Sequence, residues 1–125
     1  MNLTDLTKQA VQAALEAGDL IRSYEDREVE VLHKEGGDTY ASQVVTEVDR
    51  KAQDAILRIL GPSCEEYDLA VLTEENEDDG SRFEKECFWC IDPMDGTLPF
   101  IRREPGYSVS IGLVAKDGSP KIGVV

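Results

Sequence analysis

The stretch Trp89-Cys90-Ile91-Asp92-Pro93-Met94-Asp95-Gly96-Thr97-Leu98-Pro99 joins an apolar, strand-like run to a turn carrying two aspartates and a Gly-Thr pair. A strand holds its last side chain stiffly, and Pro93 fixes φ where the chain is expected to leave the sheet. Asp92 and Asp95 can then turn toward one point, with the Met94 carbonyl between them. An all-oxygen donor set of this kind is what hard divalent cations such as Mg²⁺ select. Gly96 permits close backbone approach, and free N–H groups at the start of a following helix suit a phosphate. The stretch reads as a metal-and-phosphate site.

Upstream, Leu6, Ala10, Ala13, Ala14, Ala17, Leu20, Ile21 and Tyr24 recur at helical spacing and predict an amphipathic helix from about Leu3 to Tyr24. Arg27 to His33 changes period, with Val29 and Val31 alternating with charge, which predicts a strand. Lys34 to Asp38 reads as a turn or mobile loop around Gly36-Gly37. A second helix is expected from about Thr46 to Leu60, with Val48, Ala52, Ala55, Ile56 and Ile59 on one stripe, stopping at Gly61-Pro62. Leu69 to Leu72 and Phe88 to Ile91 read as strands, separated by the acidic loop Glu74 to Asp79. After the central motif come a short helical turn over Leu98 to Arg103, a β-prone run from Tyr107 to Ala115, a hairpin turn from Lys116 to Pro120 and a return strand from Lys121. Helices first and strands later predict an α+β fold, an antiparallel-rich sheet with two long helices packed on one face. The sequence stops on Ile122-Gly123-Val124-Val125, in the middle of a strand, so the chain is expected to be part of something longer.

The 125 residues suffice for one domain with its own core, and 41% hydrophobic with 31% charged residues is a globular composition. Twenty-six acidic residues against 13 basic ones leave a net charge of −13, which disfavours nucleic acid and anionic membrane surfaces as partners. A small phosphorylated substrate stays compatible, because a bound divalent cation inverts the local field. No run approaches the ~20 apolar residues of a membrane span, and the first residues lack a secretory signal, so a cytoplasmic location is expected. Cys64, Cys87 and Cys90 are odd in number, which argues against a disulfide framework. Cys87 and Cys90 have zinc or redox spacing, but no second pair follows and His33 is the sole histidine. Residues three apart on a strand point to opposite faces, so these read as buried thiols.

Three other segments carry candidate partners for Asp92 and Asp95. Glu74, in Thr73-Glu74-Glu75, sits where a strand delivers a side chain to a sheet edge, although Asn76-Glu77-Asp78-Asp79 makes an acidic surface loop the blander reading. Thr46-Glu47-Val48-Asp49 has the form of a capping box; Asp49 would then lie in a first helical turn, free to cap it or to face a metal-held water. Lys34, beside two glycines, reads as a solvated lysine.

In these residues the chain resembles the inositol monophosphatase superfamily of magnesium-dependent, lithium-sensitive phosphatases, which includes bisphosphate nucleotidases and fructose bisphosphatases. Phe88 to Thr97 is similar to its Asp-Pro-(Ile/Leu)-Asp-Gly-Thr signature behind an aromatic-led strand. Leu72-Thr73-Glu74-Glu75 and Val45-Thr46-Glu47-Val48-Asp49 resemble its upstream motifs, and Val109 to Leu113 and Gly123 to Val125 its downstream strands. The resemblance implies the N-terminal half of the αβαβα sandwich of the sugar phosphatases. Residues 1–125 would be a metal-binding domain, and the C-terminal domain, with a further aspartate ligand, would be absent. It implies Glu74, Asp92, the Met94 carbonyl and Asp95 as ligands for two or more Mg²⁺ ions, with Li⁺ inhibitory. Asp95, Gly96 and Thr97 would contact the substrate phosphate, and Thr97 with Asp49 or Glu74 would orient and deprotonate a water for in-line attack. The expected function is hydrolysis of a small phosphorylated metabolite, of the 3′(2′),5′-bisphosphate nucleotidase or inositol monophosphatase type. Phe100-Ile101-Arg102-Arg103 and the Phe-Trp-Cys lead-in lean toward the nucleotidase branch, with Arg102-Arg103 available to a second phosphate. The alternative is a truncated, non-catalytic acidic metal-binding domain that pairs with another copy as a homodimer.

Overall fold

The computed structural model describes residues 1–24 and 38–125, with the backbone alone at 38–46, 97, 98 and 101. The strand expected over Arg27 to His33, and Lys34 with its glycines, lie outside the described residues.

Helix α1 spans Leu3–Ser23 and buries Leu6, Ala10, Ala13, Ala17 and Ile21, the three-and-four spacing anticipated from sequence. Asn2 caps it, its side-chain oxygen accepting from the Asp5 N–H at 3.0 Å. Asp5 in the first turn and Arg22 in the last both complement the helix dipole.

Helix α2 spans Asp38–Tyr67, so it begins earlier and ends later than the Thr46–Leu60 reading, and it runs through Gly61-Pro62. A proline inside a helix costs about 3 kcal/mol in propensity, and tertiary burial offsets that cost here. Ser63, next to Pro62, is 1% exposed. Its hydroxyl donates to the Leu60 carbonyl at 2.5 Å and accepts from the Trp89 indole N–H at 3.0 Å. The final turn is therefore bolted to the core of the sheet. It closes where the Leu69 N–H donates to the Cys64 carbonyl at 3.0 Å, across Asp68 at φ 55, which is a left-handed helix stop with aspartate in glycine's usual place. Thr46 consequently lies inside α2 rather than at its cap, and Asp49 is a mid-helix residue, not a first-turn one. The capping-box reading fails because the helix already runs from Asp38, about two turns before Thr46.

Four strands follow: β1 (Ala70–Thr73), β2 (Cys87–Asp95), β3 (Ser108–Ala115) and β4 (Pro120–Val124), in the spatial order β1-β2-β3-β4. The β1–β2 pair is parallel and the other two are antiparallel. The sheet is thus mixed but antiparallel-rich, with both long helices on one face, an α+β arrangement as expected. The inner face carries Trp89 against Leu113 and Ile91 against Ile111 across β2 and β3. These four residues are at most 2% exposed and close the core with Leu6, Ile21, Ile56 and Leu60 from the helices. A short helix α3 (Thr97–Arg102) follows β2. Its Phe100 is buried and meets Tyr107 edge-on, ring centroids 5.4 Å apart.

Of the three thiols, Cys87 is buried, Cys64 half-buried and Cys90 exposed. The opposite-face placement of Cys87 and Cys90 follows the strand alternation. Cys90 departs from the buried reading because it sits on the face of the sheet that the helices leave uncovered.

Candidate metal and phosphate site

The central motif is not a turn after a strand: β2 continues through Asp92, Pro93, Met94 and Asp95. On an unbroken strand Asp92 and Asp95, three apart, would point to opposite faces. The pairing with β3 resolves the conflict. Asp92 pairs with Ser110 and Asp95 with Ser108, so two residues, Pro93 and Met94, oppose the single Val109 in a β-bulge. Ser108 and Ser110 are two apart and share a face, so the bulge brings both aspartates to one side of the sheet. Pro93 fits because its missing N–H falls where the ladder is already broken, and its ring is buried. The Met94 N–H, released by the bulge, donates to the Asp92 carboxylate at 3.2 Å.

Glu74 comes to the same place through the parallel pair. Thr73 registers with Ile91, and the Glu74 N–H donates to the Ile91 carbonyl at 3.3 Å. The next position on each strand is then Glu74 on one and Asp92 on the other, one strand spacing apart. Their carboxyls share a hydrogen bond, and Glu74 is pushed up to about 7. That bond is the first cause, followed by the charge of Asp92, burial, and the charges of Glu75 and Asp95. Leu72, Cys90 and Ser110 line an open hollow of about 320 Å³ with Glu74 and Asp92.

Asp49 reaches the cluster from the middle of α2. It is buried, and its carboxyl is also raised to about 7, first by burial and then by the charges of Glu75, Glu74 and Asp92. Its Oδ1 has no hydrogen-bond partner among the described residues, and neither has Oε1 of the buried Gln53, one helical turn further on.

Gly96 ends the strand at φ +100. A Cβ there would lie 2.5 Å from the Gly106 carbonyl oxygen and 2.9 Å from the Tyr107 Cα. Only glycine allows the bend from β2 into α3 to press against that loop. Thr97 begins α3, and its side chain lies outside the described residues. Among the described residues no side chain caps α3 at Gly96. Arg102 and Arg103 are exposed at the far end of α3, with Arg103 at φ 59.

The structure therefore gathers Glu74, Asp92, Asp95 and Asp49 electrostatically. Among the described residues, however, no three of His, Cys, Asp or Glu form a ready-made metal cage. Asp49, raised to about 7 first by burial, and Glu74, raised to about 7 first by its bond to Asp92, stand with repelling carboxyl neighbours, and that all-oxygen chemistry fits a hard divalent cation. Sequence reading passed over two residues. Glu75 is the strongest charged neighbour of Asp49, which the Glu-Glu pair hinted at but only the placement of α2 reveals. Gln53 left a readable signal, a polar residue four positions after Asp49 on the same helical face.

The sequence profile of the inositol monophosphatase family matches residues 2–125. An inositol-1-monophosphatase of Synechocystis sp. is 39% identical over 116 residues, covering 93% of this chain and 38% of that protein. The 3′(2′),5′-bisphosphate nucleotidase CysQ of Aggregatibacter actinomycetemcomitans is 33% identical, covering 98% of this chain and 43% of the relative. The crystal structure of CysQ from Bacteroides thetaiotaomicron superposes with a TM-score of 0.75 at 33% identity, over 96% of this chain and 41% of that one. The chain thus spans about two fifths of the length of these proteins.

Proposed function

The chain belongs to the inositol monophosphatase family, and on that premise we propose that it is the metal-binding part of a Mg²⁺-dependent phosphomonoesterase, a cytoplasmic protein acting on a small phosphorylated metabolite. The observation that carries this reading is the bulge that sets Asp92 and Asp95 on one face beside Glu74. Glu74, Asp92, Asp95 and the Met94 carbonyl would hold the cation. When bound, magnesium supplies Lewis acidity, which makes water a better nucleophile and stabilises the departing alkoxide. Asp49, held near 7 by burial and its acidic neighbours, is tuned to take the proton of the attacking water at neutral pH. Thr97 orients that water, and Asp95, Gly96 and Thr97 receive the substrate phosphate.

A 3′,5′-bisphosphorylated nucleoside is the favoured substrate class and an inositol phosphate the second. The Phe-Trp-Cys lead-in, Phe100-Ile101-Arg102-Arg103 and the likeness to a bisphosphate nucleotidase support that order. Arg102, exposed at the end of α3, would meet the second phosphate.

The test is phosphate release from 3′-phosphoadenosine 5′-phosphate and from inositol 1-phosphate. It is run with and without Mg²⁺, on this chain and on any longer form the gene encodes. The expected result is Mg²⁺-dependent release, blocked by Li⁺ and lost in Asp92→Asn. A folded longer form inactive on every phosphomonoester tried would overturn the proposal.

A further inference from the structure

Asp49 and Gln53 stand one turn apart on the buried side of α2, 8% and 4% exposed. Each ends in an oxygen, Oδ1 of Asp49 and Oε1 of Gln53, that has no donor among the described residues. A buried acceptor left without a donor costs about 1–3 kcal/mol, so two adjacent orphans on one helix face call for a common partner. Residues four apart on a helix have Cβ atoms about 5–6 Å apart. A water molecule donating one hydrogen to each oxygen, at about 2.8 Å apiece, would satisfy both. Once Asp49 is ionised both orphans are acceptors, and a water with two donors supplies what is missing without adding charge to a region already crowded with Glu74, Glu75 and Asp92.

We propose that a structural water is bound between Asp49 Oδ1 and Gln53 Oε1, and that through it Gln53 is the positioning residue of Asp49. The water occupies one carboxylate oxygen and fixes the rotamer. The other oxygen is thereby left to face the acidic cluster. This water is distinct from an attacking water, since it is held on the side of Asp49 toward the next helical turn. The role of Asp49 in hydrolysis rests on the function proposed above, whereas the bound water does not.

The experiment is nuclear magnetic resonance on the metal-free chain with uniform ¹³C and ¹⁵N labelling. Water-selective cross-relaxation should give long-lived cross-peaks from water to the amides of Ala52 and Gln53 and to the Gln53 side-chain NH₂. In Gln53→Met, similar in shape but without the acceptor, the water cross-peaks at the backbone amides of Ala52 and of position 53 should vanish and the Asp49 ¹³Cγ resonance should move, while the amide pattern of α1 and the sheet is kept. A purely structural role for Gln53 would leave the Asp49 carboxyl resonance in place. Should Gln53→Met fail to fold, the wild-type spectrum still decides. A folded wild-type chain with no water cross-peak at Gln53 overturns the proposal, as do peaks that persist unchanged in the variant. No metal or substrate is present, so this result can fail while the phosphatase reading stands, and the reverse also holds.

Discussion

The two ends of β2 obey opposite rules. At its start and centre, Trp89 and Ile91 are buried against Leu113 and Ile111, and the one polar atom of Trp89 is matched to Ser63 at 3.0 Å. At its end, Asp92 and Asp95 emerge beside Glu74, with Asp49 buried nearby, and among the described residues these like charges help hold protons on Glu74 and Asp49. Local propensity, pattern and packing agree in the first region. In the second the chain breaks its own ladder with a bulge and accumulates repulsion. A fold does not need that repulsion for itself, and its presence marks the second region as built for something else.

Breaking the first region should have the largest effect. Trp89→Ala removes a fully buried indole and the tie to Ser63, and is expected to cost about 3–5 kcal/mol in urea denaturation. A loss under about 1 kcal/mol would mean that the last turn of α2 is not held as described. Gly96→Ala comes next. At φ +100, with a Cβ 2.5 Å from the Gly106 oxygen, it should lose at least about 1–3 kcal/mol and shift the amide resonances of Gly106 and Tyr107.

The second region should respond to pH with the sign of raised carboxyls. Asp49 and Glu74 hold protons up to about 7 when folded, against ordinary values of 3.8 and 4.5. Between those limits the native chain binds more protons than the unfolded one. Stability of the metal-free protein should therefore rise as pH falls from about 8 to about 5.5. The lowered carboxyls of Asp78, Asp79 and Asp117 work in the opposite sense, but only in more acid solution. Asp49→Asn should raise the melting temperature at about pH 8 and leave it nearly unchanged at about pH 5.5. Equal effects at both would show that charge is not what sets Asp49 apart. The smallest effect is expected at Cys90, exposed on the open sheet face, where Cys90→Ser should stay within about 0.5 kcal/mol of the parent.

The contrast between the regions also explains what could be read in the sequence. The α1 stripe and the alternation of β3 are periodic patterns, and periodicity survives without coordinates. The extension of α2 past Pro62 could not be read, because it depends on Ser63 meeting Trp89, 26 residues away in sequence. Glu74, Asp92 and Asp95 stood out by chemistry and spacing. Their common face did not, since a three-residue separation on a strand argues against it and only the register with Ser108 and Ser110 reveals the bulge. Gln53 carried a weaker signal: a glutamine four positions after Asp49 is unremarkable until both prove buried, each with one oxygen lacking a donor among the described residues.

The most direct measurement is the melting temperature of the chain at about pH 8 with and without millimolar Mg²⁺, Mn²⁺ or Ca²⁺, for the parent, Asp92→Asn and Asp95→Asn. A cation that binds only the folded state stabilises it by mass action, and here it also relieves repulsion among Glu74, Asp92 and Asp95. The melting temperature of the parent should rise with metal, and that rise should be lost in both variants. An equal rise in all three proteins would place the cation elsewhere and contradict the assignment of this strand end as the metal site.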